Sequence, residues 1–380
     1  MPTLDQARLE AIDLRGRLIR DPLLRLRYLR RMTACGLLCV EAAPAPPPRR
    51  SPRTLGMLAL ALILPAGYHS ETIAPASRET RAPVEEWADT LPSVWGVDKT
   101  AEFDIYSNGL RVENQYAVAN RPRRYAALVR SGDTVPDREA RQEPAGIVFH
   151  STESHMLAFE PEQTVALRRV GKYLLEYVRD NRSYHFVVDR FGRVHRVVQE
   201  GDAANHAGWS VWADDSRIYV NLNESFLAVA FEAQSRAEDG QPTVNTAQVH
   251  AGRVLTEMLR AKYRIPGFNC VTHAQVSVSP RSGRVGYHTD WADNFPYRAV
   301  GLPDNYGRPL MSVLLFGFSV DSQLEETGVG RGLRVAETLM RREALARRTT
   351  LAEYRNSLRL RWRAALSALE KAGTEKEKKL

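Results

Sequence analysis

The chain has 380 residues, 43% hydrophobic and 26% charged, a globular composition for one or two domains that excludes a collagen, a coiled-coil fibre and a wholly disordered chain. The formal net charge of +8 sits at the ends: residues 1–55 hold 11 Arg, no Lys and 5 acids, residues 331–380 hold 14 Lys and Arg against 6 acids, and the stretch between is net −6. A nucleic-acid enzyme keeps its positive charge around its working surface, so no nucleic-acid partner is expected.

Three cysteines, Cys35, Cys39 and Cys270, are too few for a disulfide framework. Cys35 and Cys39 lack the second ligand pair of a zinc knuckle.

In chain order, residues 1–54 read as a basic extension, with an Arg- and Leu-rich amphipathic helix from Asp5 to Val40 and the extended spacer Pro44-Ala45-Pro46-Pro47-Pro48. Residues 55–67 read as a signal or anchor: Arg49, Arg50 and Arg53 precede the uncharged run Leu55 to Leu64, which is shorter than the ~20 residues that span a bilayer. A buried core helix is the alternative. Export to the periplasm, or retention at the outer face of an inner membrane, is the expectation. Residues 68–94, with Pro75 and Pro83, form a linker. Residues 95–144 are expected to be a small β appendage turning at Ser107-Asn108-Gly109.

Residues 145–300 alternate strand and helix signals. Gly146-Ile147-Val148-Phe149 is a short strand ending at His150, and Val165, Leu167, Val170, Leu174, Leu175 and Val178 recur at helical spacing. Tyr184 to Asp189 and Val194 to Gln199 flank a hairpin turn, Phe226 to Phe231 is a buried strand, and Thr246 to Tyr263 is an amphipathic helix ended by Pro266-Gly267. The fold class is α/β, a mixed central β-sheet flanked by helices. Residues 301–380 form a basic helical extension whose stripe of Leu351, Tyr354, Leu358, Trp362, Leu366 and Leu369 packs on the domain or lies on an anionic membrane or wall polymer.

Several of the nine histidines fall at strand ends or beside turns, where side chains converge. His150, His273 and Asp290 supply two imidazoles and a carboxylate, a set that suits zinc with a fourth position open for the water a hydrolase activates. Spread over about 140 residues, they form no local pattern.

The run Ser183-Tyr184-His185-Phe186-Val187-Val188-Asp189-Arg190-Phe191-Gly192-Arg193-Val194 is followed by Asn205-His206-Ala207-Gly208-Trp209-Ser210 and Ala228-Val229-Ala230-Phe231-Glu232. Thr272-His273 and Asp290 with Phe295 complete the series. In this order they resemble the type 2 N-acetylmuramoyl-L-alanine amidases, the family of the peptidoglycan-recognition proteins and phage lysozyme-like amidases.

The resemblance implies zinc held by His150, His273 and Asp290, with Glu232 as general base toward the metal-bound water. It makes Tyr184 a hydrogen-bonding neighbour of the metal, and Asn205, His206, Ala207 and Gly208 a loop lining the substrate groove. His288 stands where many members place a lysine for the oxyanion. The reaction implied is hydrolysis of the amide joining N-acetylmuramic acid to L-alanine in peptidoglycan or muropeptides. Plainer readings stand beside these: Glu232 in a surface salt bridge, Tyr184 as a half-buried strand aromatic, His206 simply exposed, and Asp293 as the ligand in place of Asp290. The other functions weighed are a wall-binding module without turnover and a cytoplasmic amidase recycling muropeptides.

Overall fold

Short apolar runs separated by turn residues become strands, and the two longest lie among the inner strands of an eight-stranded mixed sheet in the computed structural model. The structure describes residues 90–130, 136–137, 140–154, 156–235, 244–279 and 282–377. The expected basic helix, the apolar segment 55–67 and nearly all of the linker lie outside the described residues. Residues Arg81–Leu380 form one compact unit.

The first strands are β1 (Gly96–Lys99), β2 (Phe103–Tyr106), β3 (Arg111–Glu113) and β4 (Leu128–Val129). Then come β5 (Gly146–Ser151), helix α1 (Thr164–Asp180), β6 (Phe186–Val188), β7 (Val194–Arg196), β8 (Val211–Ala213) and β9 (Arg217–Val220). The short helix α2 (Leu222–Ser225), β10 (Phe226–Phe231), helix α3 (Thr246–Tyr263), β11 (Cys270–Thr272) and helix α4 (His273–Val276) complete the core.

The main sheet runs β1-β2-β3-β7-β6-β10-β5-β11. Strands β6, β10, β5 and β11 are mutually parallel and wholly buried, as continuous apolar runs require. The expected appendage is no separate piece: β2 and β3 form the predicted hairpin, and β3 pairs in parallel with β7, so residues 96–113 extend the main sheet.

Helices cover both faces. Leu175 and Val178 of α1 pack with Val187, Val197, Val198 and Ala230 on one side. On the other, Leu255, Met258 and Leu259 of α3 join Phe149, Phe231, Trp291 and Phe295. The start of α3 is fixed by a capping box between Asn245 and Gln248.

Helices α5 (Met311–Phe316), α6 (Gly328–Ala346) and α7 (Leu351–Glu377) follow. The predicted apolar stripe turns inward: Tyr354, Leu358 and Trp362 are buried in the same core as the sheet, and Trp362 packs against Phe316 and Phe318. The helical periodicity breaks between α6 and α7, where Arg348 has φ +54° and the Thr350 hydroxyl accepts from the Glu353 N–H while Glu353 accepts from the Thr350 N–H. Among the described residues, no helix is long and apolar enough to cross a membrane.

Candidate metal centre and active site

Each of the three sequence-predicted ligands is delivered by a different element. His150 is the fifth residue of β5, and parallel pairing sets Thr272, the last residue of β11, beside Phe149. His273 therefore emerges next to His150 as the first residue of α4. The Thr272 N–H donates to Gln275 Oε1 at 3.0 Å, and the Tyr297 hydroxyl donates to the same oxygen at 2.6 Å, holding the turn that aims His273. Asp290 comes from a loop tied to that helix by the Ala274 N–H, which donates to the Asp290 carbonyl at 3.2 Å. The next residue, Trp291, has φ +55° and is fully buried against Phe231 and Phe295, so the loop is anchored where the ligand leaves it.

The carboxylate of Asp290 bridges the two rings. Oδ1 lies 2.8 Å from His273 Nδ1 and Oδ2 lies 3.2 Å from His150 Nδ1. Burial by itself would raise the Asp290 pKa, but the neighbouring His273 and His150 and their hydrogen bonds hold it far below the ordinary carboxylate range. Burial, and then His273, lower His150 to about 4 against the pull of Asp290.

These groups fit a metal ion. One ligand atom from each of His150, His273 and Asp290 lies within 4.8 Å of the others. A tetrahedral ion with bonds of about 2.1 Å spaces its donors roughly 3.4 Å apart, and the two His–Asp separations are of that size. The alternative ligand Asp293 is turned elsewhere: its Oδ1 accepts from the Asn294 N–H and faces Gly328.

Around the cluster, the Tyr184 ring lies 5.0 Å from the His150 ring, on a backbone with φ +61°. Burial, and then the Asp290 charge, push the Tyr184 hydroxyl well above its usual pKa. The His288 ring stacks on His273 at 4.6 Å and 22°, and the His288 backbone N–H donates to Ser277 Oγ at 2.9 Å. Tyr287 beside it is 70% exposed. The stretch between His273 and Asp290 holds β12 (Val278–Ser279) and β13 (Arg284–Val285), which pair with each other and, through β13, with β14 (Ser319–Val320).

Of the expected groove residues, Asn205 is exposed and its side chain donates to the Asn181 carbonyl at 3.0 Å. His206 is not simply exposed, for its Nδ1 lies 3.1 Å from His150 Nε2. The N–H groups of His206, Ala207 and Gly208 all donate to Asn223 Oδ1 at 2.8 Å.

Glu232 departs from its expected place. Its Oε2 accepts from the Arg190 N–H at 3.0 Å and faces Gly171 of α1, and the charges that act on it are Asp189, Arg190 and Arg193. None of these belongs to the metal cluster. The reason is register: in β10 it is Ala230 that pairs with His150, and Glu232 lies one side-chain row beyond. The surface salt bridge does not describe Glu232 either, because it is buried.

Sequence reasoning missed Asn223, which carries no spacing signal, and the buried pair Arg123 and His185. Arg123 donates to the carbonyls of Glu224, Phe226 and Asp202, and its Nη2 lies 2.8 Å from His185 Nε2. A cavity of about 820 Å³ lies apart from the cluster, lined among others by Trp95, Asp98, Tyr106, Glu200 and Lys262, and no member of the cluster borders it.

Two imidazoles and a carboxylate gathered at strand ends of a mixed α/β sheet define a domain equipped to hold a metal ion. Residues 140–290 match the family model described as N-acetylmuramoyl-L-alanine amidase, the family that the motifs of this stretch resemble. No curated protein sequence matches the chain. Among solved structures, it is similar to AmpDh3 of Pseudomonas aeruginosa in complex with anhydromuramic pentapeptide (21% identity, 41% of this chain and 58% of that one, TM-score 0.31). It is also similar to the N-acetylmuramyl-L-alanine amidase AmiD of E. coli in complex with anhydro-N-acetylmuramic acid-L-Ala-D-gamma-Glu-L-Lys (21%, 45% and 64%, TM-score 0.31). A third is the amidase LysC of Clostridium intestinale URNW (16%, 48% and 92%, TM-score 0.27). The chain spans less than two thirds of the first two.

Proposed function

We propose that the protein is a zinc-dependent amidase that cleaves the bond between N-acetylmuramic acid and L-alanine in peptidoglycan or muropeptides. The observation that carries this reading is the meeting of His150, His273 and Asp290 inside the segment that matches the amidase family. Zinc, when bound there, supplies a Lewis acid and a hydroxide nucleophile near neutral pH.

The chain's own groups do the rest. Asp290 sets its two oxygens beside Nδ1 of both imidazoles, so that the carboxylate and the two rings would hold the ion together. Tyr184 keeps the proton on Oη, because its pKa is raised, and stands as a neutral donor beside His150. His288, stacked on a ligand ring, is the residue assigned to the developing oxyanion. Glu232 has partners of its own and is not assigned as the base.

That displacement also favours a second reading, a wall-binding module without turnover. Incubating the full-length protein with muramyl peptides, with and without a chelator, separates the two. Metal-dependent release of the free L-alanyl peptide supports the amidase; binding with no release at any metal concentration sinks it.

The site of action is proposed to be outside the cytoplasm, in the periplasm or at the outer face of the inner membrane. The apolar run Leu55 to Leu64 supports this. Recovery of the protein only in the cytosolic fraction would favour muropeptide recycling. Contact of the basic α6 and α7 with anionic wall polymer or membrane belongs to the same proposal. It is electrostatic in character, because the apolar stripe of α7 faces the core.

A further inference from the structure

The two ligand rings are held differently. Each turns Nδ1 toward Asp290, but their other nitrogens differ: His273 Nε2 is buried with no hydrogen-bond partner among the described residues, whereas His150 Nε2 lies 3.1 Å from His206 Nδ1. The His150 and His206 rings meet edge to face, 5.2 Å apart at 87°, so the edge of one imidazole is directed at the other. Nδ1 of His150 needs a lone pair toward a metal, which leaves its proton on Nε2. His206 would then accept that proton's hydrogen bond at Nδ1 and carry its own proton on Nε2, which is buried with no partner among the described residues.

The position of His206 is itself fixed from a distance. Asn223 Oδ1, on α2 at the foot of β10, takes three consecutive backbone N–H groups, those of His206, Ala207 and Gly208. Gly208 has φ +57°, the left-handed turn that lets three N–H groups converge on one oxygen. Two more bonds close the loop on the same segment: Ser210 Oγ donates to the Ala207 carbonyl at 2.6 Å, and the Asn221 N–H donates to the Ser210 carbonyl at 3.1 Å.

We propose that Asn223 and His206 are positioning residues for the metal centre: Asn223 pins the loop, and His206 fixes the tautomer and orientation of His150 through its Nε2. This rests on the metal-site reading above and gives His206 a role distinct from lining the groove. Neighbours of this kind around ligating histidines typically contribute 10–100-fold in metal affinity.

The test uses the full-length protein stripped of metal and titrated with Zn²⁺ against a competing chelator, and with Co²⁺ followed by its visible spectrum. His206→Leu and Asn223→Leu should each weaken binding by about 10–100-fold and change the Co²⁺ spectrum. Asn223→Asp, whose carboxylate accepts the same three N–H groups, should restore both, and so should His206→Gln, which keeps an acceptor. The double variant His206→Leu/Asn223→Leu should be no worse than the weaker single one, since both act on one ring. The melting temperature of the metal-free protein serves as the control for a merely structural effect.

Unchanged affinity in both leucine variants, with the wild type binding metal, overturns this inference alone. So does a loss that Asn223→Asp and His206→Gln fail to rescue and that follows a lower metal-free melting temperature. A wild-type chain that takes up neither ion overturns the metal-site reading and this inference with it.

Discussion

Ala230 is the residue of β10 that lies opposite His150 of β5, and the carboxylate of Glu232, just past the end of β10, is displaced one row further along, against Gly171 and the Arg190 N–H. A side-chain row is two residues, about 7 Å of strand. That separation divides Glu232 from the metal ligands and leads to the first prediction.

Burial, opposed by the Arg190 N–H, raises the Glu232 pKa from 4.5 to about 7. A folded-state pKa above the unfolded one means that the folded protein holds the proton more tightly. The contribution of Glu232 to stability is greatest below about pH 4.5 and falls as pH rises to about 7, by up to about 3 kcal/mol. Glu232→Gln should flatten this decline in urea unfolding measured from pH 4.5 to 8. It should also leave Zn²⁺ affinity intact and cost less than ~10-fold in turnover; a loss of 10²–10⁴-fold would return Glu232 to the reaction as its general base.

His273→Ala removes one of two imidazole donors and leaves Asp290 with a single partner ring. The variant should bind no stoichiometric zinc and show no chelator-sensitive hydrolysis. In the wild type, activity removed by a chelator should return on adding Zn²⁺, and a rate indifferent to both treatments would contradict a metal-dependent site.

A buried ionic cluster joins the N-terminal strands to the sheet and to α3. Arg196 pairs with Asp104 and Glu200, each at 2.9 Å, and Glu200 also holds Lys262 and the Tyr263 hydroxyl. Burial would raise the Glu200 pKa, but Arg196 and then Lys262 bring it down to about 2. A depressed folded-state pKa gives stability that is present above about pH 4.5 and disappears as pH falls toward 2, on the order of 3 kcal/mol. Glu200→Gln should therefore destabilise the protein at pH 7 and weaken its response to acid over that window.

Trp362 ties α7 to the domain through Phe316 and Phe318. Trp362→Ala should cost about 3–5 kcal/mol in a single cooperative unfolding transition that includes the sheet. Two separate transitions, with the sheet unaffected, would show that the C-terminal helices are an independent extension.

Much of the scaffold was legible in the residues. The unbroken apolar runs of β5 and β10, the helical spacing through Leu167, Leu175 and Val178, and the turns at Asn108-Gly109 and Phe191-Gly192 are local patterns, and the structure realises them. The mixed α/β class followed from their order. The stripe of α7 was also visible, but periodicity states only that a helix has an apolar face and not what covers it.

Composition and local periodicity determined which segments could be buried and which residue types were on hand for metal chemistry. Only the tertiary structure decided that β3 would extend the main sheet, that Ala230 rather than Glu232 would face His150, and that Asn223 would hold the loop that brings His206 to that ring. The physical reason is that these are contacts between residues far apart in the chain. They are set by strand order and pairing register, and a shift of two residues in register moves a carboxylate a full side-chain row while leaving every local pattern unchanged.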